Sequence, residues 1–549
     1  MYDEKDLRPK KIRSALLFLF FLCIYLIILI KVFYIQIIQQ PFFKQLGQKQ
    51  YNVTMTTMPP RASIYDCAGK AVAMNAECLS AFILPKQLEE PQKTLPFLQK
   101  HFPHAFKRWQ QNKGKHFLYI KRKLSPHELV LIRTLSLRDI QFIKEPCRFY
   151  PSETMGTIVG ITDIDNNGLF GIEQIFNTSL RGKPTVSSLE RDARSGHFYF
   201  DKKTDVKGQS GEPINLTIDS TLQYLAYEEL RDIIDRFEAL EGGVIIIKPE
   251  TGEVITSVSF PDFNPNDTKS LKQEHTKNYP FTNAYEVGSV MKVLTALTAL
   301  EEGVVTPDEE IDCENKITTY IKGMKVSTVK AHGIIPFSEV IQKTNNIGTV
   351  KVALRVGKKL YDYYKKLGFA EKTPISFPGE QKGFITHPSK WSKRSIISLS
   401  FGYEIRTTML QLAQAFSAIA NNGKLPYLHI IKGKQKPLPT TPLFKQKTAD
   451  QIKDILTKTV LQGTAYRAKI KGYRVMGKTG TANLLENGKY IERKSIHTFA
   501  GIIEKDGYKR VMAVYVKEPQ VKRQLYASMV AVPLFEQVAE KMLIHDKII

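Results

Sequence analysis

The sequence predicts an α/β two-lobe domain, an antiparallel five-stranded sheet beside a helical lobe, behind a mixed α+β module and one membrane-crossing helix. Three observations carry that prediction. Strand-like runs rich in Val, Ile and Phe stand at both ends of residues 213–549, and helical periodicity fills most of 285–465 between them, the order expected when a helical lobe is inserted into a sheet. Near the N-terminus, Ala15 to Ile30 read ALLFLFFLCIYLIILI, long and apolar enough to cross a bilayer. A chain of 549 residues is also too long for one ordinary core, so more than one folded unit is expected.

The apolar run continues past Lys31 as VFYIQII, and Lys5, Arg8, Lys10, Lys11 and Arg13 precede it. The positive-inside bias therefore predicts a cytoplasmic tail at 1–13, a single transmembrane anchor at 14–38 in the cytoplasmic (inner) membrane and everything after it outside; Lys31 can snorkel to the interface. A cleaved signal peptide is the competing reading, but Gln39-Gln40-Pro41-Phe42 offers no small-residue cleavage site. Phe20-Phe21-Leu22 before Cys23 likewise lacks what a lipoprotein signal needs.

This topology changes the meaning of a net charge of +25. Outside the membrane the anions to expect are lipid headgroups and cell-wall polymers. Basic tracts such as Lys121-Arg122-Lys123 lack the aromatic interleaving of a stacking platform, so no nucleic-acid site is expected. The five cysteines match no zinc spacing, and no metal is expected. Cys67, Cys78, Cys147 and Cys313 would face an oxidising compartment; a Cys67–Cys78 bond is one possibility and free thiols another.

Residues 39–212 mix short strand-like and helix-like pieces with turn signals such as Asp163 to Gly171, and carry no acid/base constellation. A support module is expected there. Beyond it, Asp219-Ser220 opens a helix with Leu222, Leu225, Ala226, Leu230, Ile233 and Ile234 on one face. Residues 242–248 and 254–260 flank Pro249-Glu-Thr-Gly252 as a β-hairpin. Three strands are predicted at 473–482, 497–503 and 510–516, and a closing helix at 527–544.

The chemistry concentrates in Tyr285-Glu-Val-Gly-Ser289-Val-Met-Lys292, which opens the apolar run VMKVLTALTALEEG. On a helix, residues three apart share a face, and a helix N-terminus favours negative charge developing on a serine oxygen. A lysine on a buried helix loses its charge easily, as a neutral base must. Ser327-Thr-Val-Lys330 repeats the spacing, but in a β-branched stretch with no buried helix after it. Ser289 also has company. Lys478-Thr479-Gly480-Thr481 follows Val475-Met476-Gly477 on a predicted strand, its glycine suited to close approach of a substrate backbone, its lysine and threonines to a carboxylate. Lys343-Thr344-Asn345-Asn346 adds a hydroxyl and an amide.

Serine–lysine, a hydroxyl-x-Asn triplet and Lys-Thr-Gly together form the signature of penicillin-binding proteins and class A β-lactamases. The chain resembles a class B penicillin-binding protein, a monofunctional peptidoglycan D,D-transpeptidase with the penicillin-binding (serine β-lactamase-like) fold. Pro60-Arg61-Ala-Ser-Ile-Tyr-Asp66 with Gly69 is similar to the family's early Arg-Gly-x-Ile-x-Asp stretch, and residues 150–183, ending GLFGIEQIFNTSLRGK, to its Gly-x-x-Gly-Ile-Glu segment. Ser400-Phe-Gly-Tyr403 and Leu412-Ala-Gln-Ala415 match a helical-lobe segment.

The resemblance implies that Ser289 acylates on a stem peptide ending in D-Ala-D-Ala, with Lys292 taking its proton. It implies that Thr344, Asn346 and Lys478 complete the network, and that the N–H groups of Ser289 and Thr481 form the oxyanion hole. Thr479, Gly480 and Thr481 would bind the substrate carboxylate, β-lactams would be covalent inhibitors, and no cofactor is needed. A polytopic membrane glycosyltransferase and division proteins are the implied partners, in septal rather than side-wall synthesis. Three departures stand out: threonine at 344 for the usual serine, Val287 for a proline, and Ala62 for a glycine. A β-lactam-hydrolysing or -sensing protein and a catalytically weak division scaffold are the alternatives; no deacylating Glu motif is evident between the second and third elements.

Overall fold

The computed structural model describes residues 7–115, 117–191, 198–267, 271–486, 489–520 and 525–548. By its contacts the chain forms two compact units, one of residues 1–59 with 182–211 and one of 60–181 with 212–549.

The first unit holds the apolar helix Leu7–Phe33, which runs on through Tyr34–Ile38. Residues Ile12–Ile38 form one helix long and apolar enough to cross a membrane, with none of its apolar window buried in protein. Of the tail expected at 1–13, residues 1–6 lie outside the described residues. The same unit contains a three-stranded sheet in which Asn52–Thr57 pairs antiparallel with Thr185–Arg191, and that strand with Phe198–Val206.

In the second unit, residues 60–181 build a small sheet around the strand Ala71–Ile83, which pairs antiparallel with Leu118–Lys121 and Gln141–Phe149. The register puts Cys147 opposite Ala76 and Cys78 opposite Glu145, and the disulfide joins Cys78 to Cys147, their Cα atoms 5.8 Å apart. The Cys67–Cys78 pairing that the sequence allowed is thus replaced by a cross-strand bond. Cys67 lies elsewhere, its thiol 3.6 Å from Asp219 Oδ2, and burial followed by the charges of Asp219 and Asp66 pushes it up to about 12.

The two sequence segments that resemble the family's support module meet in this unit. Arg61 donates from Nε to Glu173 Oε2 at 2.6 Å and from Nη2 to the Glu173 carbonyl at 2.8 Å. Arg148 Nε reaches the other carboxylate oxygen at 2.6 Å. All three side chains are buried.

Five strands form the main sheet: β1 (Glu241–Lys248), β2 (Glu253–Phe260), β3 (Arg474–Glu486), β4 (Lys489–Lys505) and β5 (Tyr508–Lys517), antiparallel throughout, in the order β2-β1-β5-β4-β3. The central strands are apolar at successive positions because both faces are covered. Val244 and Ile246 of β1 join Met512, Val514 and Val516 of β5 in one core, against helices Ser220–Phe237 and Ala531–His545. Ile245 and Ile247 join Val511, Ala513 and Tyr515 in the other, under the helical lobe. This is strand alternation serving two layers.

The helix predicted after Asp219-Ser220 spans Ser220–Phe237, with the Asp219 carboxylate accepting from the N–H groups of Thr221 and Leu222 at 2.9 Å each, an N-cap of the ordinary kind. The predicted C-terminal strands run longer than expected, and a 3-10 turn at Ala527–Met529 precedes the last helix, which begins at Ala531.

The Glu173 triad makes a stability prediction. Removing the carboxylate strands two buried guanidinium groups, a loss worth about 3–5 kcal/mol. Glu173→Ala should lower the denaturant midpoint sharply, while Glu77→Ala, which breaks the exposed Lys144–Glu77 pair, should leave it nearly unchanged. Equal midpoints for the two variants would show that the triad is not a keystone of this unit.

Candidate active site

Ser289 lies on a 3-10 turn, Gly288–Met291, that leads into the α-helix Lys292–Glu301. The sequence reading put the serine in the first α turn; the α-helix proper begins three residues later, at the lysine. From Lys292 to Leu300 every residue of this helix is buried. Ser289 itself is half-buried.

Lys292 and Lys478 are both 0 % exposed, and both reach Thr344. Lys292 Nζ donates to the Thr344 carbonyl at 3.0 Å. Lys478 Nζ donates to the Thr344 hydroxyl at 2.7 Å and to the Thr479 carbonyl at 3.2 Å. Burial drives the Lys292 ammonium well below its ordinary range, and the nearby Lys478 charge adds to the shift. Burial alone holds Lys478 down to about 7. A charged ammonium without a carboxylate is costly in such a place, so loss of the proton is the favoured response.

Thr344 meets both lysines because of its backbone. Its φ is +60°, a left-handed conformation that a β-branched residue rarely adopts. The loop is fixed on both sides: Thr344 N–H donates to the Ile341 carbonyl at 3.2 Å and Asn345 N–H to the Val340 carbonyl at 2.9 Å. Asn345, fully buried, caps the helix Asn346–Val356 by accepting from Gly348 N–H at 3.0 Å, and its amide nitrogen lies 3.2 Å from His332 Nδ1. Asn346, the first residue of that helix, donates its amide to the Ser327 carbonyl. Ser327, the serine of the second Ser-x-x-Lys, is thus a strand residue that holds Asn346 through its backbone while its hydroxyl pairs with Thr318 at 2.9 Å.

Lys478, Thr479, Gly480 and Thr481 are consecutive on β3, an edge strand. A Cβ at Gly480 would lie 2.2 Å from the Val287 carbonyl oxygen. The missing side chain makes room for the nucleophile turn. From the other side, Gly288 has φ +60° and a Cβ there would lie 2.5 Å from the Thr481 carbonyl, so strand and turn interlock backbone to backbone. The Thr481 hydroxyl accepts from Ala527 N–H at 3.1 Å, and the Thr479 hydroxyl lies 3.1 Å from that of Thr464. Sequence reasoning missed Thr464 and Ala527, which sit in stretches with no chemical pattern of their own. Among the described residues no group of His, Cys, Asp and Glu could hold a metal ion.

The strain at Thr344 is measurable. Glycine adopts a positive φ freely whereas alanine does not, at a difference of about 1 kcal/mol. Thr344→Gly should therefore unfold at a higher denaturant concentration than Thr344→Ala, although both lack the hydroxyl. Equal stability would show that the left-handed turn is unstrained.

Comparison with known proteins identifies the domains. Residues 242–540 match the penicillin binding protein transpeptidase domain family, and residues 56–216 the penicillin-binding protein dimerisation domain family. The probable peptidoglycan D,D-transpeptidase PenA of Neisseria meningitidis is 30% identical over 519 residues, covering 92% of this chain and 88% of that protein. The peptidoglycan D,D-transpeptidase FtsI of Escherichia coli is 28% identical over 519 residues, 92% of this chain and 87% of its own. Stage V sporulation protein D of Bacillus subtilis is 29% identical over 549 residues, covering 95% and 84%. In fold, penicillin binding protein 3 of Mycobacterium tuberculosis, solved in complex with aztreonam, has a TM-score of 0.68 at 22% identity, covering 90% of this chain and 97% of its own. The chain belongs to the penicillin-binding protein transpeptidase family, with the dimerisation and transpeptidase domains of its class B members.

Proposed function

We propose that this protein is a serine-type peptidoglycan D,D-transpeptidase, in which residues 213–549 carry the chemistry and residues 39–212 the non-catalytic support. The observation that carries the reading is the meeting of two fully buried lysines on Thr344, beside the turn that bears Ser289. A dry, neutral Lys292 is a base able to accept the Ser289 proton. The Ser289 oxygen then attacks the penultimate carbonyl of a stem peptide ending in D-Ala-D-Ala, and the terminal D-alanine leaves with a proton. Lys478, Thr344 and Asn346 form the hydrogen-bonding group around the reacting atoms. The N–H groups of Ser289 and Thr481 stabilise the oxyanion, and Thr479 with Thr481 holds the donor carboxylate. An amine of a second stem peptide resolves the ester. A β-lactam enters the first half of the same cycle and stays as the ester.

The basic residues ahead of the apolar helix support a single-pass orientation with the N-terminus in the cytoplasm and the catalytic domain outside. The relative named FtsI favours a septal role. Strand polymerisation then falls to a polytopic membrane glycosyltransferase working with this protein at the division site.

Labelling with fluorescent penicillin tests the nucleophile. The wild type should form a long-lived adduct at Ser289, and Ser289→Ala should abolish it without changing thermal unfolding. An adduct that maps to Ser327 would refute the assignment, and one that hydrolyses rapidly would make the protein a β-lactamase.

The buried lysines also fix a pH dependence. Acylation needs neutral Lys292, so its rate should rise with pH and level off well below 10.5, the ordinary lysine value. A positive charge at Lys478 disfavours a second charge at Lys292, so Lys478→Met should move the midpoint of the residual rate to higher pH. A midpoint that does not move would uncouple the two lysines.

A further inference from the structure

Beside the site stands a hairpin that the chemistry above leaves unused. Strands Thr318–Ile321 and Met324–Ser327 pair antiparallel around the two-residue turn Lys322-Gly323, both residues at positive φ, the usual tight hairpin geometry. Its two faces differ. Ile321, Met324 and Val326 pack with Ile347, Val350 and Ile397 against the helix that begins at Asn346. The other face points to solvent with Tyr320 directly opposite Lys325 and Thr318 opposite Ser327; Tyr320 is 72 % exposed.

The charge of this segment is of one sign. Residues 315–334 contain Lys316, Lys322, Lys325 and Lys330 and not one Asp or Glu, and all four lysines are exposed. Arg394 adds a fifth cation at the turn, where it donates to the Gly323 carbonyl at 3.1 Å. The neighbouring acids are engaged elsewhere: Glu314 with Lys351 and Thr319, Asp312 with Lys351, Glu339 with Lys343. Lys322, Lys325 and Lys330 make no ion pair among the described residues. One end of this cationic face is tied to the site, since the Ser327 carbonyl holds the Asn346 amide and His332 meets Asn345.

We propose that the hairpin 318–327 and its flanks bind the acceptor strand of peptidoglycan, drawing the carboxylates of its stem peptide onto Lys322, Lys325 and Lys330 so that its amine arrives at the Ser289 ester. The proposal rests on the transpeptidase reading and assigns its second half-reaction. In that step the amine nitrogen forms an amide with the acyl carbon, the bond from that carbon to Ser289 Oγ breaks, and a proton of the amine ends on Oγ. Charge complementarity selects the occupant: a stem peptide carries carboxylates at its C-terminus and along its chain, and a cluster of exposed lysines attracts such a ligand. An exposed Tyr320 between these lysines offers a flat apolar surface to the backbone or sugar of the same strand.

The experiment uses the full chain in detergent, a D-alanyl thioester donor, and two amine acceptors: the anionic tripeptide L-Ala-γ-D-Glu-meso-diaminopimelate and neutral glycinamide. Lys322→Glu/Lys325→Glu/Lys330→Glu should be acylated by penicillin and thioester within about twofold of wild type, while the ratio of aminolysis to hydrolysis with the tripeptide falls about tenfold or more. With glycinamide that ratio should not change. The matching Lys→Gln triple variant should fall between, and added salt should weaken tripeptide transfer in the wild type more than in either variant. An unchanged tripeptide ratio overturns the proposal, as does an equal fall for both acceptors. Intact transfer with lost binding to phosphatidylglycerol vesicles would instead make the hairpin a membrane contact. A wild type that penicillin does not acylate at Ser289 would overturn the transpeptidase reading beneath it.

Discussion

Taking two lysine ammonium groups out of water and bringing both to one threonine is the constraint on which the rest of the site depends. Each charge would be expensive in this surrounding, and two together more so. Lys292 and Lys478 have no carboxylate between them; they have the carbonyl and the hydroxyl of Thr344. Both oxygens can be offered at once only because the chain turns through a left-handed residue there. The loop keeps that conformation because helix Phe337–Gln342 ends on one side of it and an Asn345-capped helix begins on the other. Strain at residue 344 is thus held by two buried helix ends, in the way that strained backbone at functional sites is generally over-determined by its surroundings.

The two-layer sheet explains how the lysines come together from opposite parts of the chain. Lys478 is delivered by an edge strand whose neighbours have both faces packed, and Lys292 by a helix buried on all sides. Their relative position is set where Gly288 and Gly480 let turn and strand touch without side chains. A larger residue at either position would separate the lobes by displacing backbone from backbone, with no flexible side chain to absorb the change. The edge position of β3 has a second consequence: it leaves backbone groups on the outer side of the strand available to an extended peptide, a common mode of peptide recognition.

Much of this was legible in the sequence, for reasons that differ by element. The helix Ser220–Phe237 was readable from its Asp219 cap and its apolar stripe, both local signals. Strands β1 and β5 were readable as apolar runs, though not the division of Val244 and Ile245 between separate cores, which depends on what covers each face. Ser289, Lys292 and Lys478 stand out in the sequence by the company they keep. The pairing of Cys78 with Cys147 was not legible because it follows from the register of two strands far apart in sequence. Thr464 was hidden for a similar reason: its hydroxyl matters only because the fold brings it to Thr479. Ser327 stands in a stretch that offers no buried helix for a nucleophile, and it is its carbonyl that holds Asn346. Side-chain chemistry can be read from residue types, whereas a role played by a carbonyl carries no sequence signal.

Lysine serves different ends at two neighbouring places, and burial is what chiefly separates them. Lys292 and Lys478 are sealed from water, so their protons are held weakly and the amines can serve as bases and hydrogen-bond donors. Lys322, Lys325 and Lys330 stand exposed to solvent, where the field of a side-chain charge extends over roughly a Debye length, about 8 Å at physiological salt. A neutral interior cannot attract a carboxylate from a distance, and an exposed ammonium cannot take a proton from serine near neutral pH. The separation lets one chain hold reactive amines in the dry cleft and attractive charges at its rim. Ser327 joins the two, its strand carrying Lys325 and its carbonyl accepting a hydrogen bond from the Asn346 amide.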